Sequence, residues 1–224
     1  MARWLQYICI TVCLWNFTAF SVEYDYVGSF KFPRAKSPAS NMDYANGTFT
    51  LSKDGRSLYL AGRSKDMAIA EFSIPALKKT TNPRELLLAE ILQPFHKIYD
   101  NLPTGNPQNI NRITGMGMVD DELFINAVEF YDAPADNTHT TVIVKQPKFL
   151  FKSKVTGFYE LGGKAHAAGW ITKVPKSKKI ELGGDYVLGY ASNLPIESRF
   201  SAGPTAFASN LANFTGKIKS SGSI

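Results

Sequence analysis

Glu129, Tyr131, Asp132 and His139 fall within one short stretch, and all four are side chains that can do acid–base or ligand chemistry. A carboxylate beside an imidazole orients and charges it, so Asp132 with His139 could serve as a general acid–base pair or as two ligands of a metal. The plainer interpretation makes Asp132-Ala133-Pro134 turn chemistry and His139 an ordinary surface residue. Only three histidines exist, His96, His139 and His166, each in a different context, so no metal site of three histidines and no cofactor is expected. Arg63 and Arg199 stand at comparable places after or between strands, and an arginine fork suits a carboxylate or a sulfate. With Tyr59, Tyr131 and Trp170 as stacking surfaces, they would suit an acidic sugar chain; salt bridges between blades, the plainer interpretation, explain the same arginines without a ligand. No Gly-x-Ser-x-Gly nucleophile motif and no zinc-protease helix occurs, and Leu161-Gly162-Gly163 and Leu182-Gly183-Gly184 are tight turns, not phosphate loops.

The elements that must carry these residues are short strands. Thr48 to Ser52 alternates polar and apolar, Lys53-Asp54-Gly55-Arg56 supplies a turn, and Ser57 to Ala61 alternates again, which predicts a hairpin. Met67 to Ile74 is a third strand ended by Pro75, and Leu86 to Pro94 a fourth, with Pro83-Arg84-Glu85 able to open a helical turn before it. The pattern restarts with Ile113 to Val119, the turn Asp120-Asp121, and Glu122 to Val128, which sets Leu123-Phe124-Ile125 in register with Leu58-Tyr59-Leu60. Thr140 to Val144 and Val155 to Leu161 complete this second copy; Gly169 to Pro175 and Asp185 to Tyr190 supply the first strands of a third, and Gly203 to Ala208 looks like a further start.

The chain opens with Met1-Ala2-Arg3, an uncharged and mostly apolar run from Trp4 to Phe20, and the small-x-small sequence Ala19-Phe20-Ser21. That is the form of a secretory signal peptide over 1–21, with a retained membrane anchor as the alternative. Both cysteines, Cys9 and Cys13, lie inside it, so the mature chain would have no disulfide, thiol nucleophile or thiolate metal site. A formal net charge of +6 over 224 residues is a modest excess, compatible with an acidic polysaccharide or simply with solubility.

Self-similar four-stranded units of this kind predict an all-β fold, a partial, open β-propeller of about three antiparallel blades at 48–94, 113–161 and 168–224 within a domain spanning 22–224. Phe30-Lys31-Phe32-Pro33 resembles Ile91-Leu92-Gln93-Pro94, so 26–33 is expected to be the closing strand of a missing last blade and the chain the front of a longer protein. A β-sandwich is the alternative. Glu129-Phe130-Tyr131-Asp132-Ala133, His139, Gly169 to Pro175, Leu182-Gly183-Gly184 and Ser198 to Phe207 together resemble a family of uncharacterised secreted proteins, chiefly bacterial, with β-propeller-like repeats. This chain looks like their N-terminal part, with Gly62-Arg63 where members tend to carry Gly-His. The resemblance implies export and a propeller, and no activity.

These features point to a secreted or periplasmic binding module that recognises an acidic glycan or an extracellular protein through Arg63, Tyr131, Asp132, His139, Trp170 and Arg199. No nucleic acid is expected as a partner, and no membrane once the signal is removed. A polysaccharide-cleaving lyase or hydrolase is the alternative, weakened by the lack of a paired-carboxylate or nucleophile motif.

Overall fold

A computed structural model describes residues 23–34, 37–134, 136–191, 206–211 and 220–223. Residues 1–21, where a signal peptide is expected, and Arg199 lie outside these residues. The fold is all-β, with three four-stranded antiparallel sheets and little helix. Sheet 1 contains β1 (Phe49–Leu51), β2 (Ser57–Ala61), β3 (Ile69–Ser73) and β4 (Ile91–His96); sheet 2 contains β5 (Arg112–Val119), β6 (Glu122–Val128), β7 (His139–Val144) and β8 (Val155–Glu160). Sheet 3 contains β9 (Ile171–Lys173), β10 (Tyr186–Gly189), β11 (Ala206–Ser209) and β12 (Ser220–Ser223). In every sheet the spatial order follows the sequence order, because each strand turns back on the one before it. The β5–β6 turn has only Asp120 and Asp121 between the paired residues Val119 and Glu122, and Asp120 takes a positive φ of 54° that a short polar side chain tolerates.

The sheets pack face to face, which side-chain alternation makes visible. Tyr59 and Ala61 of β2 join Leu123 and Ile125 of β6, and Val142 and Val144 of β7, in one core between sheets 1 and 2. The residues between them point the other way: Phe124 and Ile143 pack with Tyr186, Leu188 and Phe207 in a second core between sheets 2 and 3. Sheet 2 is therefore buried on both faces, and β6 from Leu123 to Val128 is buried throughout.

Leu58, Leu60, Ala70 and Phe72 line the outer face of sheet 1, where Phe30, Phe32 and Met42 cover them. The Phe32 ring stands edge-on to Phe30 and to Phe72, each 5.2 Å away between centroids. Phe30 and Phe32 point the same way because they are two apart in an extended segment. That segment, read from sequence as a fourth strand awaiting a missing blade, is held here by single bridges from Ser29 to Lys78 and from Lys31 to Leu88. The amide of Lys31 donates to the Leu87 carbonyl and the Ala89 amide donates back to Lys31, both at 2.9 Å.

The fourth strand starts later than its apolar run suggests. Asn82 caps a 3-10 turn at Pro83–Glu85, accepting from the Arg84 amide at 3.1 Å, and Leu88 is diverted to the bridge with Lys31. Pro94 then lies inside β4 instead of ending it. An edge strand allows this, since one row of its N–H groups faces away from the ladder. Among the described residues no helix is long and apolar enough to cross a membrane.

The first strands of successive sheets lie side by side, β1 by β5 and β5 by β9. The contact between β5 and the entry to β9 is backbone on backbone: a Cβ on Gly115 would stand 1.7 Å from the Gly169 carbonyl oxygen. Polar bonds pin the same place. Asn126 Nδ2 donates to the Gly169 carbonyl at 2.9 Å, Thr141 Oγ1 donates to Asn126 Oδ1 at 2.7 Å, and Thr114 Oγ1 donates to the Ala168 carbonyl.

Candidate functional site

Strand direction sorts the loops into two ends. Val128, the last residue of β6, pairs with Arg112, the first of β5, so the β6–β7 loop and the start of β5 share an end. Gly115 and Gly117 meet Gly169 and Ile171 in the same order, so β9 runs parallel to β5 and Trp170 lies at that end too. Arg63 borders the same small cleft as Ile113, which places the β2–β3 loop there as well. Arg63, Tyr131, His139 and Trp170 thus share what we call the loop end. The opposite, turn end carries the β1–β2 and β5–β6 turns and the connection from β7 to β8.

At the loop end the side chains differ in what they offer. The Arg63 backbone is anchored, its amide donating to the Asn41 carbonyl at 2.8 Å and to Ser40 Oγ at 3.0 Å, while its guanidinium is exposed and makes no ion pair among the described residues. Tyr131 is 67% exposed, its ring edge-on to Phe130 at 4.8 Å. Arg112, which sequence reasoning passed over, lies 4.8 Å above the Phe130 ring and donates to its neighbour's carbonyl, at Asn111, at 2.6 Å.

Asp132 faces inward with no exposure, and its two oxygens accept from the amides of Asp136 at 3.0 Å and Asn137 at 3.2 Å. That is the turn chemistry of an aspartate closing its own loop. His139 instead bonds Thr138 Oγ1 through Nδ1 at 2.8 Å, and its amide donates to Gln108 Oε1 at 2.8 Å. Asp132 and His139 are therefore not a hydrogen-bonded pair. Trp170 is 47% exposed, and its indole lies flat on the β10 backbone: a Cβ at Gly189 would stand 1.8 Å from Trp170 Cε2. Behind it, His166 stacks on Tyr190 at 5.0 Å, where burial lowers the imidazole's proton affinity. No group of three histidine, cysteine, aspartate or glutamate side chains gathers as metal ligands among the described residues.

The turn end contains what sequence reasoning missed, a groove of about 630 Å³ between sheets 1 and 2. Its inner wall follows from register, since Tyr59 on β2 faces Glu71 on β3, which faces Gln93 on β4. Glu71 Oε1 accepts from Ser57 Oγ and Oε2 from Gln93 Nε2, each at 2.5 Å. Burial, and then the charge of Glu71, push the Tyr59 phenol well above its usual range, so it keeps its proton. Gln93 also donates to the Pro147 carbonyl and accepts from the Leu150 amide, both at 2.8 Å, stitching β4 to the turn that carries Phe149. A signal existed: Glu71 is the only charged residue in the run from Met67 to Ile74.

Two lysines that line the groove are paired with carboxylates, Lys53 with Asp121 in the lining itself at 2.7 Å and Lys145 with Glu122 outside it at 2.8 Å. The hydrogen bond from Lys53, helped by its charge, holds the Asp121 carboxyl below the usual carboxylate range, and the Ser52 hydroxyl and Arg56 amide do the same for Asp54. A carboxyl with a depressed folded pKa contributes stability that is present above its unfolded pKa and lost as pH falls through the folded one. In a carboxyl-detected NMR titration Asp121 should therefore titrate below the ordinary ~3.9 for aspartate, and Lys53→Met should return it there. An unshifted midpoint would show that the pair does not persist in solution.

No protein family, curated protein or solved structure matches this chain.

Proposed function

We propose that the three sheets are successive blades of a β-propeller and that the chain is an exported binding module whose loop end engages an extracellular acidic glycan. The observation that carries this is Trp170: its half-exposed indole is held by contact with Gly189, at the end that also presents the exposed ring of Tyr131 and the exposed guanidinium of Arg63, which has no ion pair among the described residues. A rigid aromatic face covers the apolar face of a sugar ring at little entropic cost, and an arginine fork reads its carboxylate or sulfate. The face-packed meanders, with the first strand of each sheet beside the first strand of the next, support the propeller reading. Asp132, occupied within its own loop, has no contact role in this reading.

Uronic-acid and sulfated polysaccharides titrated calorimetrically into the natural full-length chain test it. Binding should weaken by about tenfold in Trp170→Ala and in Arg63→Ala, tenfold being 1.4 kcal/mol, and should fall further with added salt. No heat with any acidic polysaccharide, or binding that both variants retain, would refute the assignment.

A further inference from the structure

We propose that the groove at the turn end is a second ligand site, independent of the loop end, that takes one or two rings of a neutral sugar. Its size of about 630 Å³ lies within the ~300–1,000 Å³ of small-molecule sites. Charge argues the ligand class. Lys53, Lys145 and Lys148 line the groove with Asp54, Glu71 and Asp121, so cationic and acidic linings balance. An anion or a cation would meet equal numbers of like and unlike charges, whereas a hydroxyl both donates and accepts and can use both kinds at once.

The groove is also built in advance. Glu71 is fixed in orientation by two short bonds, one to each oxygen, and a carboxylate has about four acceptor positions, so room for sugar hydroxyls remains. Ser57 and Tyr59 share this wall, and the Tyr59 hydroxyl keeps its proton there. Phe149 lines the groove while 62% exposed. The Gln93 bonds hold the turn beneath it, so its ring is offered to an apolar sugar face without first having to be ordered. Met118 adds a second apolar surface from sheet 2.

Saturation-transfer NMR on the natural full-length chain, with glucose, galactose, mannose, N-acetylglucosamine, maltose, cellobiose and lactose as probes, tests the proposal. At least one should show transfer, and its affinity should fall by about tenfold or more in Glu71→Gln, the loss expected for a hydrogen bond to a charged group. Phe149→Ala should weaken it comparably, and because that ring is exposed the variant keeps its fold even if Glu71→Gln does not. Trp170→Ala should leave neutral-sugar binding unchanged, which separates this site from the loop end. No transfer from any probe would overturn the proposal, as would affinity unmoved in Phe149→Ala or equal binding by glucuronic acid and glucose.

Discussion

Truncating either of two adjacent residues in β6 should be severely destabilising, about 3–5 kcal/mol for Phe124→Ala and about 2–5 kcal/mol for Ile125→Ala. Successive residues of a strand point to opposite faces, and here both faces are sealed: Phe124 packs between sheets 2 and 3 with Leu188 and Phe207, Ile125 between sheets 1 and 2 with Tyr59 and Val142. Phe124 is 1% exposed and Ile125 is fully buried. In a two-layer sandwich with a solvated outer face, one of two neighbouring residues faces water, and its truncation costs no more than about 0.5 kcal/mol. Urea denaturation of the two variants separates these cases. Two large losses at unchanged m-value agree with a sheet packed on both sides; one large and one negligible loss would refute it.

Gly115→Ala should cost at least the ~1–3 kcal/mol typical of overpacking, while Gly117→Ala should cost less, although both glycines lie on β5. The difference lies in what the new methyl meets. At Gly115 it would meet the carbonyl of Gly169, backbone that Asn126 holds by a hydrogen bond and that cannot yield without moving the entry to β9. At Gly117 it would meet Ile171 Cβ at 2.6 Å and Cγ2 at 2.8 Å. Replacing Ile171 by glycine, which removes both atoms, should therefore recover part of the Gly117→Ala loss and none of the Gly115→Ala loss. Equal recovery of both in thermal denaturation would show that the strands approach through side chains alone.

Local pattern carried the all-β class. Ser57 to Ala61 and Glu122 to Val128 were readable because alternation stops at Asp-Gly and Asp-Asp turns, chemistry contained within a few residues. β4 was displaced because Leu88 is claimed by Lys31, a residue far away in the chain that no local pattern reports. The site divides similarly. The placement of Trp170 and Arg63 at strand ends was legible, but the inward turn of Asp132 depends on the amides of Asp136 and Asn137 curling back to meet it. The groove was hidden for a further reason: Glu71 lies on sheet 1 and Phe149 on the turn between β7 and β8, and they come to line one groove only when the two sheets pack. Side-chain alternation says that a strand has two faces, and is silent about what will cover each.

The bridges from Ser29 and Lys31 impose an order on assembly. Every strand of a sheet finds its partner in the next strand along, so each meander can close over short loops as soon as its own residues are available. The segment carrying Phe30 and Phe32 is synthesised before any of them, yet its hydrogen-bonding partners, Lys78, Leu87 and Ala89, flank the last turn of sheet 1. Until that sheet exists, the two phenylalanines have no surface to bury against. The earliest of the described segments to be made thus gains its last hydrogen-bonding partner once the chain has reached Ala89, ahead of β4 and of both later sheets.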